Sequence, residues 1–132
     1  MKPRVLVIDG YEGFRRAMEY CLTQAGFAVA SAESARAALP LVRAHAVDVV
    51  LLDATQSFED GLKECRVLKD WAEFASAAVV LLGDRATSGQ REAARRAGAE
   101  AVMPKLFEWQ ELVARVERLA RERSQEKDER RT

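Results

Sequence analysis

The chain lacks the features that several classes of protein need. It has no apolar run near the length of about 18 residues that a transmembrane helix requires. Lys and Arg number 21 and Asp and Glu number 21, so the formal net charge is zero. This balance does not favour sequence-independent binding to nucleic acid or to an anionic membrane surface. We therefore expect neither nucleic acid nor a membrane among the partners of this domain.

Histidine and cysteine are equally scarce. The single histidine, His45, excludes a catalytic constellation or metal site built from several histidines. Cys21 and Cys65 lie in helix-like segments without metal-ligand spacing, which is typical of reduced thiols in the cytoplasm. The N-terminal residues, up to Ile8, contain no secretory cleavage site. We expect a cytoplasmic protein.

Short apolar runs alternate with amphipathic stretches over most of the 132 residues. The predicted strands are Val5–Ile8, Phe27–Ala30, Val47–Leu52, 77–82 and Ala101–Met103, and the predicted helices are Glu12–Ala25, Ser34–His45, Gly61–Asp70, Gln90–Ala97 and Glu108–Arg123. Pro40 should kink or shorten the second helix, because it removes a backbone hydrogen bond. The alternation predicts one α/β domain, a doubly wound parallel sheet with helices on both faces.

Chemistry-bearing residues follow the predicted strands. Asp9 follows the first strand, Asp53 the third, Gly83 and Asp84 the fourth, and Lys105 the fifth. In open parallel sheets, ligands bind beyond the carboxyl ends of the strands. Two carboxylates and an ammonium at this edge suit a divalent cation and a phosphoryl group. The simpler alternative is a salt bridge between Asp53 and Lys105 without further function.

The chain resembles the receiver domain of bacterial two-component response regulators from residue 4 to about residue 121. The matching stretches are VLVID (5–9), FRRAMEYCLTQAGF (14–27), AESARAAL (32–39), DVVLLD (48–53), EDGLKECRVLK (59–69) and AGAEAVMPKLF (97–107). Lys105 and Gly83 follow Asp53 at offsets close to those of the lysine and hydroxyl positions of that family. The resemblance implies a flavodoxin-like (βα)5 fold with strand order 2-1-3-4-5. Residues 1–121 would form the receiver domain, and 122–132 a charged helical extension or a linker.

The resemblance also assigns roles to individual residues. Asp53 occupies the position of the phosphoacceptor, which takes a phosphoryl group from a phospho-histidine or a small phosphodonor. Asp9, Asp53 and the backbone carbonyl of Thr55 match the protein ligands of Mg²⁺. Lys105 matches the lysine that pairs first with the acceptor carboxylate and later with the phosphoryl oxygens. The implied partner is a sensor histidine kinase or another signalling protein in a phosphorelay.

Four positions depart from the pattern of the family. Gly10 replaces the second metal-binding acid, Gly83 the phosphoryl-binding Ser or Thr, Val102 the switching aromatic residue, and Leu106 the proline after the lysine. Losing a directly bound carboxylate should weaken Mg²⁺ binding roughly 10–100-fold or more. Without the metal charge, phosphoryl transfer should also slow. These departures predict an atypical receiver or pseudo-receiver, with Mg²⁺ weakly bound or absent.

Two rival interpretations remain open. In the first, Glu12 or Asp84 supplies the missing carboxylate, and the chain is a working phospho-receiver. In the second, the strand-end pocket belongs to an α/β enzyme or ligand-binding protein. The sequence offers no nucleophile–base pair for this, so we do not expect an enzyme.

Arginines on the last two predicted helices suggest a contact surface. Arg91, Arg95, Arg96, Arg115 and Arg118 form a candidate basic edge, interleaved with Glu92, Glu111 and Glu117. In the family that the chain resembles, the face of the fourth helix, fifth strand and fifth helix often mediates dimerisation or partner contact. The alternative is an ordinary solvated helix surface.

Overall fold

Strands and helices alternate along the computed structural model, which describes residues 2–131. The strands are β1 (Arg4–Ile8), β2 (Ala28–Ala32), β3 (Val49–Asp53), β4 (Ala78–Gly83) and β5 (Ala101–Pro104). The helices are α1 (Glu12–Gln24), α2 (Ala35–Ala44), α3 (Phe58–Asp70), α4 (Ser88–Arg96) and α5 (Trp109–Arg131). A short 3-10 helix, Ala72–Phe74, joins α3 to β4.

All the strand pairs in the sheet are parallel, and the strand order is β2-β1-β3-β4-β5. This confirms the predicted flavodoxin-like doubly wound fold. The register pairs Asp53 with Leu82 and Gly83 with Pro104, so β3, β4 and β5 end side by side. The carboxyl ends of the strands therefore form one continuous edge.

The central strands are apolar because both of their faces are covered. Along β1, Leu6 and Ile8 pack into the cluster under α2, α3 and α4, while Val5 and Val7 pack under α1 and α5. This alternation follows from the two-residue period of a strand. Every residue of β4 is buried. The apolar runs that predicted the strands are the central layer of the core.

Some element boundaries differ from the predictions. α3 begins at Phe58 rather than Gly61, because the Ser57 hydroxyl accepts a hydrogen bond from the backbone N–H of Asp60 and caps the helix earlier. β2 starts one residue later than predicted and continues to Ala32. α2 runs through Pro40 to Ala44, one residue short of the predicted end at His45.

The charged C-terminal segment continues α5 as a single helix to Arg131. Arg123, which is 8% exposed, forms ion pairs with Glu100 and Glu126, and Lys127 Nζ lies 3.5 Å from Asp48 Oδ1. The contacts with Glu100 and Asp48 hold the first two turns beyond residue 121 against the rest of the domain. The domain boundary between residues 121 and 122 stays a prediction. The first residue of the predicted domain, Met1, and the last residue of the predicted extension, Thr132, lie outside the described residues.

The turn after α4 depends on a glycine. Gly98 has a φ of +100°, and a Cβ atom there would lie 2.7 Å from Cγ of Lys69. The Lys69 ammonium donates to the carbonyls of Phe74, Ala75 and Ala77 at 2.8–3.2 Å, which anchors its side chain. Burial and the nearby Arg123 lower the pKa of Lys69.

Along residues 2–131, no helix is both long and apolar enough to cross a membrane.

Candidate functional site

Backbone hydrogen bonds just beyond the strands position three residues at the carboxyl edge of the sheet. The N–H of Asp9 donates to the carbonyl of Ala32 at 3.0 Å, which carries the β1–β2 pairing one residue past Ile8. Asp53 is the last residue of β3. The N–H of Lys105 donates to the carbonyl of Gly83 at 2.8 Å, which extends the β4–β5 pairing in the same way. The three side chains thus start from fixed backbone.

The Lys105 ammonium lies between two carboxylates. Its Nζ is 2.6 Å from Oδ2 of Asp9 and 3.3 Å from Oδ1 of Asp53. The Asp9 side chain is 2% exposed, and those of Lys105 and Asp53 are 22% and 17% exposed. Nζ also lies 4.3 Å from the centroid of the Phe14 ring, a cation–π distance. The structure therefore brings together the three residues that sequence reasoning selected, with the lysine closer to Asp9 than to the acceptor position.

Thr55 orients the Asp53 carboxylate. Oδ1 of Asp53 accepts hydrogen bonds from the Thr55 N–H at 3.0 Å and from the Thr55 hydroxyl at 2.7 Å. No described residue donates a hydrogen bond to Oδ2, so this oxygen is available to an incoming group. Sequence reasoning assigned Thr55 a role through its carbonyl alone. The Asp-x-Thr spacing, which permits an Asx-type turn, is the signal that predicts the amide contact.

A cleft of about 340 Å³ opens above these residues, and we call it the strand-end cleft. Its lining carries one ammonium, from Lys105, and five carboxyl groups. The carboxyl groups belong to Asp9, Glu33, Asp53, Asp60 and Glu64. Oε1 of Glu64 accepts a hydrogen bond from the N–H of Ala35 at 2.7 Å, at the start of α2. Glu33 follows β2 directly but lies three residues beyond the predicted end of that strand, and Glu64 lies within α3, so neither was selected from the sequence.

Few oxygen donors surround Asp9 and Asp53. Both Asp9 oxygens are engaged, Oδ1 by the Tyr11 N–H at 2.8 Å and Oδ2 by Lys105. Gly10 contributes no side chain, and no atom lies within 4 Å of where its Cβ would be. Across residues 2–131, no group of three His, Cys, Asp or Glu residues is arranged to hold a metal ion. Oδ2 of Asp53 and the carbonyl of Thr55 remain as oxygen donors, and a Mg²⁺ ion held there would take most of its ligands from water.

The two candidate replacement acids lie outside the cleft. Glu12 is exposed at the start of α1 and forms an ion pair with Arg16 at 2.7 Å. Asp84 is exposed in the loop after β4. Neither residue lines the strand-end cleft. The structure therefore does not bring Glu12 or Asp84 to Asp9 and Asp53.

The other three positions that depart from the family pattern lie around the site. Gly83 is buried at the end of β4, and a Cβ there would meet the Arg85 carbonyl at 3.4 Å, an ordinary contact. Val102 is buried in β5 at 7% exposure. Leu106 is 98% exposed beside Lys105. The backbone thus has room for a small side chain at Gly83.

Comparison with known proteins agrees with this geometry. Residues 5–117 match the family model described as the response regulator receiver domain. Response regulator MprA of Mycolicibacterium vanbaalenii is 33% identical over 121 residues, which are 92% of this chain and 52% of that protein. The Mycobacterium ulcerans MprA is 31% identical over 98% of this chain and 55% of its own length. The chain thus spans about half the length of the curated relatives it matches.

Solved structures show the same fold. A response regulator from Thermotoga maritima superposes with a TM-score of 0.78 at 25% identity, covering 91% of this chain and 98% of that one. Chemotaxis protein CheY4 of Vibrio cholerae gives a TM-score of 0.80 at 19% identity, covering 90% of this chain and 99% of that one. Together with the family match, these similarities show that the chain belongs to the response regulator receiver domain family of two-component signal transduction.

Proposed function

We propose that the chain is an atypical receiver, in which Mg²⁺-dependent phosphorylation of Asp53 is weakened and signalling occurs mainly through protein–protein contacts. The observation that carries this proposal is the glycine at position 10. It leaves Asp9 without a second acid next to it in the sequence, and both Asp9 oxygens already accept hydrogen bonds, from Tyr11 and Lys105.

Charge in the strand-end cleft supports slow phosphorylation. A phosphoryl group in transfer needs positive charge on its oxygens, which a metal ion and a lysine normally supply together. Here one ammonium faces five carboxyl groups. Asp53 keeps an oxygen without a protein donor and Thr55 orients it, so the acceptor retains its geometry. Phosphorylation is therefore slowed rather than abolished.

The departures at β4 and β5 support a weakened switch. Gly83 has no hydroxyl to donate to a phosphoryl oxygen, and a hydrogen bond to a charged group contributes about 1.5–3 kcal/mol. Val102 has no aromatic ring that could exchange between two positions. Coupling between the acceptor and a distant surface requires two states with different contacts. The unphosphorylated surface is therefore the form that partners recognise.

The partners that we propose are a sensor histidine kinase or another signalling protein in the cytoplasm. The two free cysteines, Cys21 and Cys65, are compatible with a reducing compartment. A second copy of the chain, bound through α4, β5 and α5, is a further candidate. This face bears arginines from both helices.

Restoring the missing acid tests the proposal. Gly10→Asp places a carboxylate where no atom lies within 4 Å of the new Cβ, and Gly10→Ala is the matched control. Mg²⁺ affinity, followed by tryptophan fluorescence or NMR, should rise about 10–100-fold in the aspartate variant and stay unchanged in the alanine variant. After incubation with acetyl phosphate and Mg²⁺, intact mass should show more phosphoryl adduct in Gly10→Asp, and Asp53→Ala should abolish it.

The rival interpretation, in which the chain is a working phospho-receiver, predicts the opposite result. If the unmodified chain binds Mg²⁺ as firmly as Gly10→Asp and forms as much adduct on Asp53, the proposal fails. The chain would then be an ordinary phosphorylation-dependent receiver.

A further inference from the structure

A pocket of about 250 Å³ lies between α2 and the amino ends of β1 and β2, at the opposite edge of the sheet from the strand-end cleft. We call it the α2 pocket. Among the described residues, only Arg4 and His45 line it with polar side chains. Arg4 begins β1, and His45 directly follows α2. The rest of its lining is apolar and consists of Val5, Leu6, Ala28, Val29, Ala30, Pro40, Leu41, Ala44 and Val47.

Small side chains on two facing elements leave this space. Ala28 and Ala30 share one face of β2, because alternate residues of a strand point to the same side. Ala44 lines the pocket from α2. Methyl groups leave a gap that larger apolar side chains would fill at the packing density of a protein interior. An apolar cavity of about 150 Å³ is enough to bind benzene, so the α2 pocket has room for an alkyl or aryl group.

The pocket is open to molecules from solution. Leu41, Ala44 and His45 line it and are exposed, so its mouth lies along this side of α2. Leu41 is 41% exposed, which leaves an apolar side chain at the rim in contact with water. A bound apolar group would cover it.

The α2 pocket also carries an unmatched positive charge. No described residue that lines it has a carboxyl group. Arg4 donates its backbone N–H to Asp48 at 2.9 Å, but its guanidinium forms no ion pair with any residue among 2–131. With His45 counted as neutral at pH 7, the lining has one positive charge, on the partly buried Arg4.

The surroundings do not neutralise this charge. A wider cleft of about 790 Å³ adjoins the α2 pocket and shares Arg4 with it. The cleft has two further cations and two acids, which are Lys2, Lys127, Asp48 and Asp128. Both Asp48 oxygens are already engaged, by the Arg4 N–H and by Lys127 at 3.5 Å. The guanidinium of Arg4 therefore remains as the group without a counter-charge at the mouth of an apolar pocket.

We propose that the α2 pocket binds a small amphipathic carboxylate, with its alkyl or aryl part against Ala28, Ala30 and Leu41 and its carboxylate on Arg4. A guanidinium binds a carboxylate through two parallel hydrogen bonds. One carboxylate matches the single positive charge of the lining, whereas a phosphate group would bring more negative charge than the lining offsets. Mostly apolar walls with one polar group that fixes orientation are typical of small-molecule sites.

This inference goes beyond the proposed function and does not rest on it. The ligand would contact β1, β2 and α2 together, and a ligand that binds only the folded chain stabilises it. Binding requires neither Mg²⁺ nor a phosphodonor. The result at Gly10 and the result at the α2 pocket are therefore independent.

The test is an NMR titration of the full chain with octanoate, in which amide shifts report where the ligand binds. The shifts should concentrate on Val29, Ala30, Leu41 and Ala44, with a Kd on the order of 1 mM or tighter. Two further probes separate tail from head group. Octylammonium keeps the tail and reverses the charge, and acetate keeps the carboxylate without the tail. Each should bind at least about tenfold more weakly than octanoate.

Two variants with matched controls locate the site. Ala30→Leu should fill the pocket and weaken octanoate binding at least about tenfold, whereas Ala37→Leu, exposed on α2 outside the pocket, should leave it within about twofold. Arg4→Gln should weaken octanoate binding roughly tenfold and leave octanol binding unchanged. Its control, Arg36→Gln, lies at another exposed position on α2 and should leave octanoate binding within about twofold. Arg4→Gln keeps the test valid if the larger side chain disturbs folding.

Three results would overturn the inference. The first is the absence of shifts around the α2 pocket at tens of millimolar octanoate. The second is octylammonium binding as tightly as octanoate, which would make the contact a response to apolar surface alone. The third is a different occupant, shown by a concentration-dependent dimer in analytical ultracentrifugation that Ala30→Leu abolishes.

Discussion

Replacing Lys105 by methionine should destabilise the fold, because it leaves a buried carboxylate without its counter-charge. The Asp9 side chain is 2% exposed, and its Oδ2 lies 2.6 Å from the Lys105 ammonium. The same ammonium is 3.3 Å from Asp53. Without it, two carboxylates face each other in a cleft that already carries further acids.

The expected loss follows from these distances. At an effective dielectric constant of about 20, the gross attractions are about 6 kcal/mol to Asp9 and about 5 kcal/mol to Asp53. Desolvation of the three groups offsets much of this. Removing one member of a buried pair typically costs about 3–5 kcal/mol. Because Lys105 is 22% exposed and the cleft opens to water, we expect Lys105→Met to lower the free energy of unfolding by about 2–3 kcal/mol.

A double-mutant cycle separates this cause from lost packing. The variants are Lys105→Met, Asp9→Asn and their combination, measured by urea unfolding with tryptophan fluorescence. Asp9→Asn should recover most of the stability lost in Lys105→Met, since it removes the uncompensated charge and keeps the shape of the side chain. Lys63→Met, at an exposed position on α3, is the control and should change stability by less than about 0.5 kcal/mol.

Two results would refute the reasoning. One is a Lys105→Met variant within about 0.5 kcal/mol of the parent, and the other is a double variant no more stable than Lys105→Met alone. Either would mean that Asp9 is hydrated well enough to keep its charge without the lysine.

Further predictions concern the fold. Gly98→Ala should lower the free energy of unfolding by about 2 kcal/mol, because the φ of Gly98 is +100° and the new Cβ would meet a lysine of α3. Gly89→Ala in α4 should raise it by about 0.5–1 kcal/mol, because no atom lies within 4 Å of the new Cβ. Both are checked by urea unfolding, and equal effects would contradict the argument. Burial raises the pKa of Cys65 from 9.0 to about 11, so the folded state keeps a proton that the unfolded state loses. Its contribution to stability is complete below pH 9 and is lost as the pH rises to about 11; Cys65→Ala should remove this part of the pH dependence of unfolding. Arg123→Met should speed amide exchange in the last turns of α5 roughly fivefold, because the ion pair with the half-exposed Glu100 contributes about 1 kcal/mol there, and unchanged exchange would refute the anchoring role.

Much of the architecture follows from local pattern, since strands covered on both faces must be apolar throughout and helices must be apolar on one side. The elements that escaped prediction are those in which a single side chain decides. The Ser57 cap sets the start of α3, and nothing in the apolar spacing marks it. α2, in contrast, runs through Pro40 to Ala44, near the predicted end, because the packing of its apolar face outweighs a local preference.

The residues of the site also fall into those that the sequence pattern predicts and those that it does not. Asp9, Asp53 and Lys105 were predictable, because parallel strands end at one edge and the residues that follow them must meet. The second hydrogen bond from Thr55, the cation–π contact with Phe14 and the acids Glu33 and Glu64 lining the cleft were not. They depend on side-chain rotamers and on loops that approach from distant parts of the chain.

The amino-acid sequence by itself determined the parallel sheet, its family and the absence of a second acid at Gly10, because these depend on residue type and order. The tertiary structure alone decided that Lys105 lies nearer to Asp9 than to Asp53, and that Glu12 and Asp84 lie outside the cleft. It also decided that Glu92 is paired with Arg95 and Glu100 with Arg123, while Arg91 and Arg115 form no ion pair with any residue among 2–131. Distances between charges set these outcomes, and such distances exist only once remote segments have packed together.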